Sequence, residues 1–529
     1  MFDFFSAKRP STLASQAMIA TSHPLSTAAG IEILSAGGSA VDAALAAVAV
    51  QCVVDPLMTG IGGDCFALYA PKGGPVKALN GSGRAPAAAT VAALKEAGLG
   101  DEIPQTSPHS VTIPGAISAW CLLHADHGTM PLERLFARAI GYAENGYAVT
   151  PRVAQDWAEA AELVGKDEHA AKVFLPNGRA PVAGERHAQP LLADRLREIA
   201  SKGAAGFYQG ETAAKMATHL QSLGGLHTTQ DFHEATDQAF WTDPISASYA
   251  GHEVIECPPN GQGLAALLIL RILSKFDMGR QMSEADRIHL HAEATKLAYH
   301  HRDALIADPA SCPDVVDTLL SDEVVDTLAA RIDMTRAMEP ALWDEPEHKD
   351  TIYLCVVDAE GNALSFINSI FHGFGSTRLD PETGVLFHSR GASFRLIEGH
   401  PNAIAPKKRP MHTIIPGMLR KDGEVVMPFG VMGGQYQAAG HAAFLSGVLD
   451  LGLDLQAAMD APRSFAHDGE LQVEPGVSAD ARAELEKRGH KLKVMTSPIG
   501  GSQAIRIDAE TGLLSGGSDS RKDGMALGF

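Results

Sequence analysis

The chain has 529 residues, 45% of them hydrophobic and 20% charged, with a formal net charge of −20. That length supports a large core and more than one domain, and the composition is that of an ordinary globular protein. The acidic balance argues against a nucleic-acid-binding or anionic-membrane-binding surface, and no apolar run reaches the ~20 residues of a spanning helix. From the N-terminus, Met1 to Pro10 lacks the basic region and the roughly 7–15-residue apolar stretch of an export signal, so a cytoplasmic location is expected. Met18 to Ala20 reads as a short strand. Pro24 to Ala36 reads as a helix closed by Gly37-Gly38, and Ser39 caps an Ala/Val-rich helix from Ala40 to Val54 that is apolar nearly all round and therefore buried. Thr59-Gly60-Ile61-Gly62-Gly63-Asp64 is a Gly-rich loop. It lacks the Lys-Ser/Thr of a phosphate-binding loop and precedes a strand, Cys65 to Tyr69, so it reads as close backbone packing.

Val76 to Leu79 is a further strand, followed by helical patterns alternating with polar loops from Met130 to about Asp243. Val254 to Cys257 is a strand, Gly263 to Ser274 a helix, and Ser283 to Arg302 a long helix rich in His289, His291, His300 and His301. The spacing of these histidines suits a packed or solvated face better than a metal site, and no metal or other cofactor is expected. Leu319 to Ile332 reads as one more helix. Later come strands at Val425–Phe429 and Leu471–Val473. The six cysteines form no CxxC pair, and four of them lie in apolar runs, so reduced core thiols are expected.

A reactive group can be argued at one place. A charged, Pro-rich run ends at Asp350. Thr351 then leads an apolar strand, Ile352 to Val357, which turns at Asp358–Asn362 and returns as Ala363 to Ile370. A hydroxyl at the head of a core strand after an accessible loop suits an N-terminal nucleophile made by self-cleavage between Asp350 and Thr351. The freed α-amine, with an ordinary pKa of about 8, would serve as base for its own hydroxyl. On the residues alone, an ordinary turn before a strand is the commoner reading of Asp350-Thr351.

Thr351 to Asp358 with Gly361-Asn362 resembles the start of the small subunit of the γ-glutamyltranspeptidase family. Ser22-His23-Pro24-Leu25, Gly37 to Ala44 and Gly60-Ile61-Gly62-Gly63 resemble its large subunit. Pro258-Pro259-Asn260-Gly261-Gln262-Gly263, Lys408-Arg409-Pro410 and Gly433-Gly434 follow in the family's order. The resemblance implies an α/β (α+β) four-layer αββα N-terminal-nucleophile hydrolase, cut from one precursor into a large part, 1–350, and a small part, 351–529. The two parts would associate as a heterodimer, with pairing of such heterodimers left open. It also implies that Gly433 and Gly434 form the oxyanion hole and that Ser369 stands where relatives have a second Thr supporting the nucleophile.

The acyl-binding positions of the γ-glutamyl enzymes are replaced. Ser82 stands at the position of the family's carboxylate-binding Arg, and Arg84 lies two residues on. Phe371 stands for an Asn, Arg390 and Ser393 for a Gln and an Asp, and His412 and Thr413 for paired serines. Exchanging an acid for a guanidinium favours a carboxylate over an ammonium group. Within the family the chain is therefore expected to resemble the oxamate amidohydrolases of purine-ring catabolism, cleaving a small carboxylate-bearing amide. The alternatives are a glutathione hydrolase or γ-glutamyl transferase, a cephalosporin-type acylase, and an uncleaved inactive relative acting as a binding protein.

Overall fold

The computed structural model describes residues 9–339 and 351–529. Its core is two seven-stranded antiparallel sheets. The first runs, edge to edge, Met525–Gly528, Met18–Thr21, Ile352–Val357, Ala363–Ser369, Asp64–Ala70, Lys77–Gly81 and Phe240–Thr242. The second runs Thr12–Ala14, Leu514–Ser518, Gly501–Ile507, Glu424–Met432, Gly417–Lys421, His252–Glu256 and Ile245–Tyr249. Strands from before and after residue 351 are interleaved in both.

The period-two alternation of Ile352–Val357 shows how the layers are assembled. Ile352, Leu354 and Val356 point into a core shared with the helices Pro24–Ser35 and Ala40–Val54. Tyr353, Cys355 and Val357 point the other way, into a core shared with Ile255, Met418, Met432 and Ile505 of the second sheet. The outer face of that sheet, with Val254, Leu419, Phe429 and Val431, is covered by the helices Gly263–Leu273, Glu284–Leu305 and Gln437–Leu449. Helices, sheet, sheet and helices make the expected αββα order. Every residue of Ala40–Val54 is buried, and Ser39 with Asp42 forms the capping box at its start.

The Gly-rich loop is close backbone packing, as its sequence suggests. A Cβ on Gly63 would stand 2.3 Å from the Ser369 carbonyl oxygen, and one on Gly62 would stand 2.2 Å from that of Leu386. The expected single helix from Leu319 to Ile332 is instead two, Val315–Leu319 and Asp322–Ala329. Ser321 breaks it by accepting a hydrogen bond from the Val324 N–H as the cap of the second. The cysteines are free thiols. Among the described residues no helix is long and apolar enough to cross a membrane.

Histidines fill polar gaps in this core. His23 caps the helix Pro24–Ser35 by accepting from the Leu25 N–H at 3.2 Å, and His227 lies 2.8 Å from the Val111 carbonyl through Nε2. Burial lowers His23 and His372 to about 3, and His187 and His227 to about 4.

Two outcomes follow from this packing. Gly63→Ala forces two backbone segments apart and should cost about 1–3 kcal/mol, measured as a lower urea midpoint; an unchanged midpoint would refute the close-approach argument. The four depressed histidines give stability that is complete above their ordinary pKa of about 6.5 and is lost as pH falls toward 3–4. Asp55, lifted to about 7 by burial, and Glu256, also raised by burial, act in the opposite sense but are outnumbered, because burial lowers His291 to about 4 and His490 to about 3 as well. The urea midpoint should therefore drop steadily from pH 7 to 4.5, at about 1.4 kcal/mol per pH unit for each extra proton the unfolded chain binds. A flat profile over that range would contradict it.

Candidate active site

Thr351 is 1% exposed and sits at the head of the Ile352–Val357 strand, in the middle of the first sheet. Its Oγ1 lies 3.2 Å from Ser369 Oγ, at the end of the returning strand. A second contact comes from the other sheet layer, where Gln437 Nε2 donates to Thr351 Oγ1 at 3.4 Å. Gln437 is the first residue of the helix that follows the Gly433-Gly434 turn. A 3-10 turn, Gly434–Tyr436, comes first, made possible by positive φ at both glycines, 122° and 57°.

Ser369 Oγ also accepts from the Phe371 N–H at 3.0 Å. Arg390, fully buried, reaches the same oxygen with Nη2 at 3.5 Å and donates from Nη1 to Thr413 Oγ1 at 3.1 Å. Its guanidinium lies over the Phe371 ring at 4.1 Å, a cation–π contact away from water. Phe371 holds a left-handed φ of 77°, and the structure therefore brings Thr351, Ser369, Phe371, Arg390 and Thr413 into one cluster.

Behind it lies a charge cluster in which the candidates His412 and Ser82 meet Asp64 and His388, which the sequence did not single out. Asp64, the last residue of the Gly-rich loop, accepts from the Gly83 and Gly115 N–H groups and lies 3.2 Å from His388 Nδ1 and 3.4 Å from His412 Nε2. His412 Nε2 is also 2.8 Å from Ser82 Oγ, which Asn260 Nδ2 contacts at 3.0 Å. Burial alone would raise the Asp64 carboxyl, but His388, His412 and Arg390 outweigh it and hold it at about 2. Burial and Arg390 keep His412 neutral, well below its ordinary pKa. An acid opening an otherwise apolar strand, Asp64-Cys65-Phe66, was the available signal.

Two of the sequence candidates turn elsewhere. Ser393 donates to the Met411 and Arg390 carbonyls, and Arg84, half-buried, donates to that of Lys407. Asp350 lies outside the described residues. His289 meets Glu293 and His490 in a buried group, with Nδ1 of His289 2.8 Å from His490 Nε2. The Lys296 ammonium is already bonded to Glu293 Oε1 at 2.7 Å, so a divalent ion there would face a buried like charge.

Chemically, the cluster offers a buried hydroxyl at a strand head, a glycine turn beside it and a guanidinium one hydroxyl away. The Gamma-glutamyltranspeptidase family profile matches residues 26–529. The chain is 35% identical to the Glutathione hydrolase-like YwrD proenzyme of Bacillus subtilis, over 98% of this chain and 99% of that protein. It is 34% identical to the Oxamate amidohydrolase proenzyme of Klebsiella pneumoniae, again over 98% and 99%. The crystal structure of cephalosporin acylase from Bacillus halodurans superposes with a TM-score of 0.94 at 40% identity, covering 100% of this chain and 99% of that one. With motifs, fold and full-length relatives in agreement, the chain belongs to the gamma-glutamyltranspeptidase family of self-processing N-terminal-nucleophile hydrolases, which act on amide bonds.

Proposed function

We propose that this protein hydrolyses a small amide whose acyl group carries a carboxylate next to the scissile carbonyl, an oxamate-like substrate, through an acyl-enzyme on Thr351. Cleavage after Asp350 makes a large part, 1–350, and a small part, 351–529, which stay together because their strands are interleaved in both sheets. The Thr351 α-amine takes the proton of its own hydroxyl as Oγ1 attacks the amide carbon. The Gly433 and Gly434 N–H groups receive the oxyanion, and the proton passes to the departing nitrogen as the C–N bond breaks. Water then adds to the ester, releasing the acid and restoring Thr351. Ser369 holds the nucleophile's hydroxyl through the 3.2 Å contact.

The observation that carries the substrate assignment is the position of Arg390, two hydrogen-bond lengths from Thr351 Oγ1 by way of Ser369. A carboxylate bound there belongs to a compact acyl group. A γ-glutamyl group would bring an α-ammonium as well. The acid opposite Ser369 on the neighbouring strand, Asp64, is already held by two N–H groups and two histidines. A buried ammonium without a carboxylate costs several kcal/mol. The likeness to a cephalosporin acylase favours a second reading, a bulkier acyl group, but the wall formed by Arg390, Thr413, His412 and Ser82 is polar.

Two outcomes test this. Purified wild-type protein should separate on a denaturing gel into 1–350 and 351–529, with Thr351 as a new amino terminus, while Thr351→Ala remains one chain. Active protein whose only amino terminus is Met1 would end the mechanism. Arg390→Met should lower kcat/KM for oxamate by at least about tenfold, the value of one charge-assisted hydrogen bond, read by ammonia release. Turnover of a γ-glutamyl anilide by the wild type equal to that of oxamate would overturn the substrate assignment.

A further inference from the structure

The oxyanion turn is gripped from behind by an arginine of a neighbouring helix. Arg302, 1% exposed, is near the end of the helix Glu284–Leu305. Its Nη1 donates to two amide oxygens, Gln262 Oε1 at 2.8 Å and Gln435 Oε1 at 2.5 Å. Each glutamine is thereby oriented. Gln262, with its oxygen held, points Nε2 at the Gly434 carbonyl (3.2 Å) and at the Thr413 carbonyl (2.6 Å). Gln435 lies within the Gly434–Tyr436 turn, and the Tyr299 hydroxyl, one helical turn before Arg302, donates to its carbonyl. The guanidinium in turn stacks on the Tyr299 ring at 4.0 Å.

The peptide planes of Gly433 and Gly434 have positive φ, in the region glycine alone enters at no cost. Their own conformational preference does not fix where their N–H groups aim. Oxyanion stabilisation depends on that aim, because the donors must be preorganised before charge develops. Holding the Gly434 carbonyl fixes the Gly434–Gln435 peptide, the plane directly after the one that carries the Gly434 N–H, and holding Gln435 at both its amide and its carbonyl fixes the far end of the turn, so the donor peptides can swing only against a fixed neighbour.

We propose that Arg302 is a positioning residue for the oxyanion turn: through Gln262 and Gln435 it sets the orientation of the Gly433-Gly434 peptides. Through the same Gln262, it ties that turn to Thr413, the residue that anchors Arg390. This rests on the reading of Gly433-Gly434 as the oxyanion donors. Lysine replaces Arg302 only in part, because an ammonium on a flexible stem lacks the planar nitrogen, held flat against the Tyr299 ring, that directs two donors at the two glutamines.

The test uses the mature two-part protein. In Arg302→Met, kcat per titrated active site on the best amide substrate should fall at least about tenfold while KM changes less than about threefold, the pattern of an interaction made only in the transition state. Deuterium uptake of the peptide covering 430–437 should become faster. Arg302→Lys, which keeps the charge and is less disruptive should the Met variant fail to mature, should show the same changes at smaller size. Wild-type kcat per site together with unaltered exchange in either variant overturns the role of Arg302 and leaves the oxyanion reading untouched. Faster exchange with wild-type kcat overturns the oxyanion reading, and the positioning role falls with it. A loss of activity that disappears on active-site titration would mean that Arg302 is only structural, and would overturn the proposal.

Discussion

Burial of the Ile352–Val357 strand on both faces is the constraint on which the rest of the structure depends. Its odd and even side chains fill different cores, one against helices and one against the second sheet. A shift of one residue would exchange the two sets, and the Tyr353 ring, which packs where a Cβ on Gly430 would stand 2.3 Å away, could not be accommodated. The register is fixed on both sides, with Ile352 opposite Asn368 and Leu354 opposite Thr21. Thr351 is therefore placed by the whole sandwich. A side chain so held loses little entropy on reaching a reactive geometry.

The same burial makes the site's electrostatics consequential. Arg390, Asp64, His388 and His412 share a region removed from water, where an uncompensated charge is costly. Asp64 stays ionised and His412 neutral, and the carboxylate shares this buried region with the Arg390 cation. Asp64 does not cancel Arg390 by direct contact: it acts across the two histidines and leaves the guanidinium face on Phe371 and its edge on Ser369 and Thr413. The arrangement keeps a cation one hydroxyl from Thr351 at tolerable cost, which is what the proposed anionic acyl group would need.

The strands and helices that sequence reasoning located are those whose side chains face one environment. Ala40–Val54, apolar all round, and Ile352–Val357, apolar and bounded by turn residues, were legible because burial dictates their composition directly. The break at Ser321 was not, since a hydroxyl residue in an amphipathic run signals a cap only once the direction of the following turn is known. At the site, Thr351, Ser369, Arg390 and Thr413 were legible through motif positions. Asp64, His388, Gln437 and Arg302 act through partners tens to hundreds of residues away, and nothing local distinguishes a buried Arg302 from the exposed arginines of other helices. The reverse error has the same origin. Ser393 and Arg84 sit at positions that suggested substrate contact, yet the backbone carbonyls nearby are the acceptors they meet.

What joins these parts is that the site draws on three of the four layers of the sandwich. Thr351 and Ser369 come from the first sheet and the Gly433-Gly434 turn from the end of a strand of the second. Gln437 comes from the helix covering that sheet, and Arg302 from a neighbouring helix. Gln262, entering from the loop after His252–Glu256, is bonded to the Gly434 turn, to Thr413 and to Arg302 at once. A displacement of the acyl-holding side of the site is therefore transmitted to the glycine turn through one amide side chain. Packed interiors resist continuous deformation, so under the proposed reaction the holding of Thr351, Arg390 and the glycine turn in one rigid frame would let binding energy at Arg390 be expressed where the carbonyl reacts.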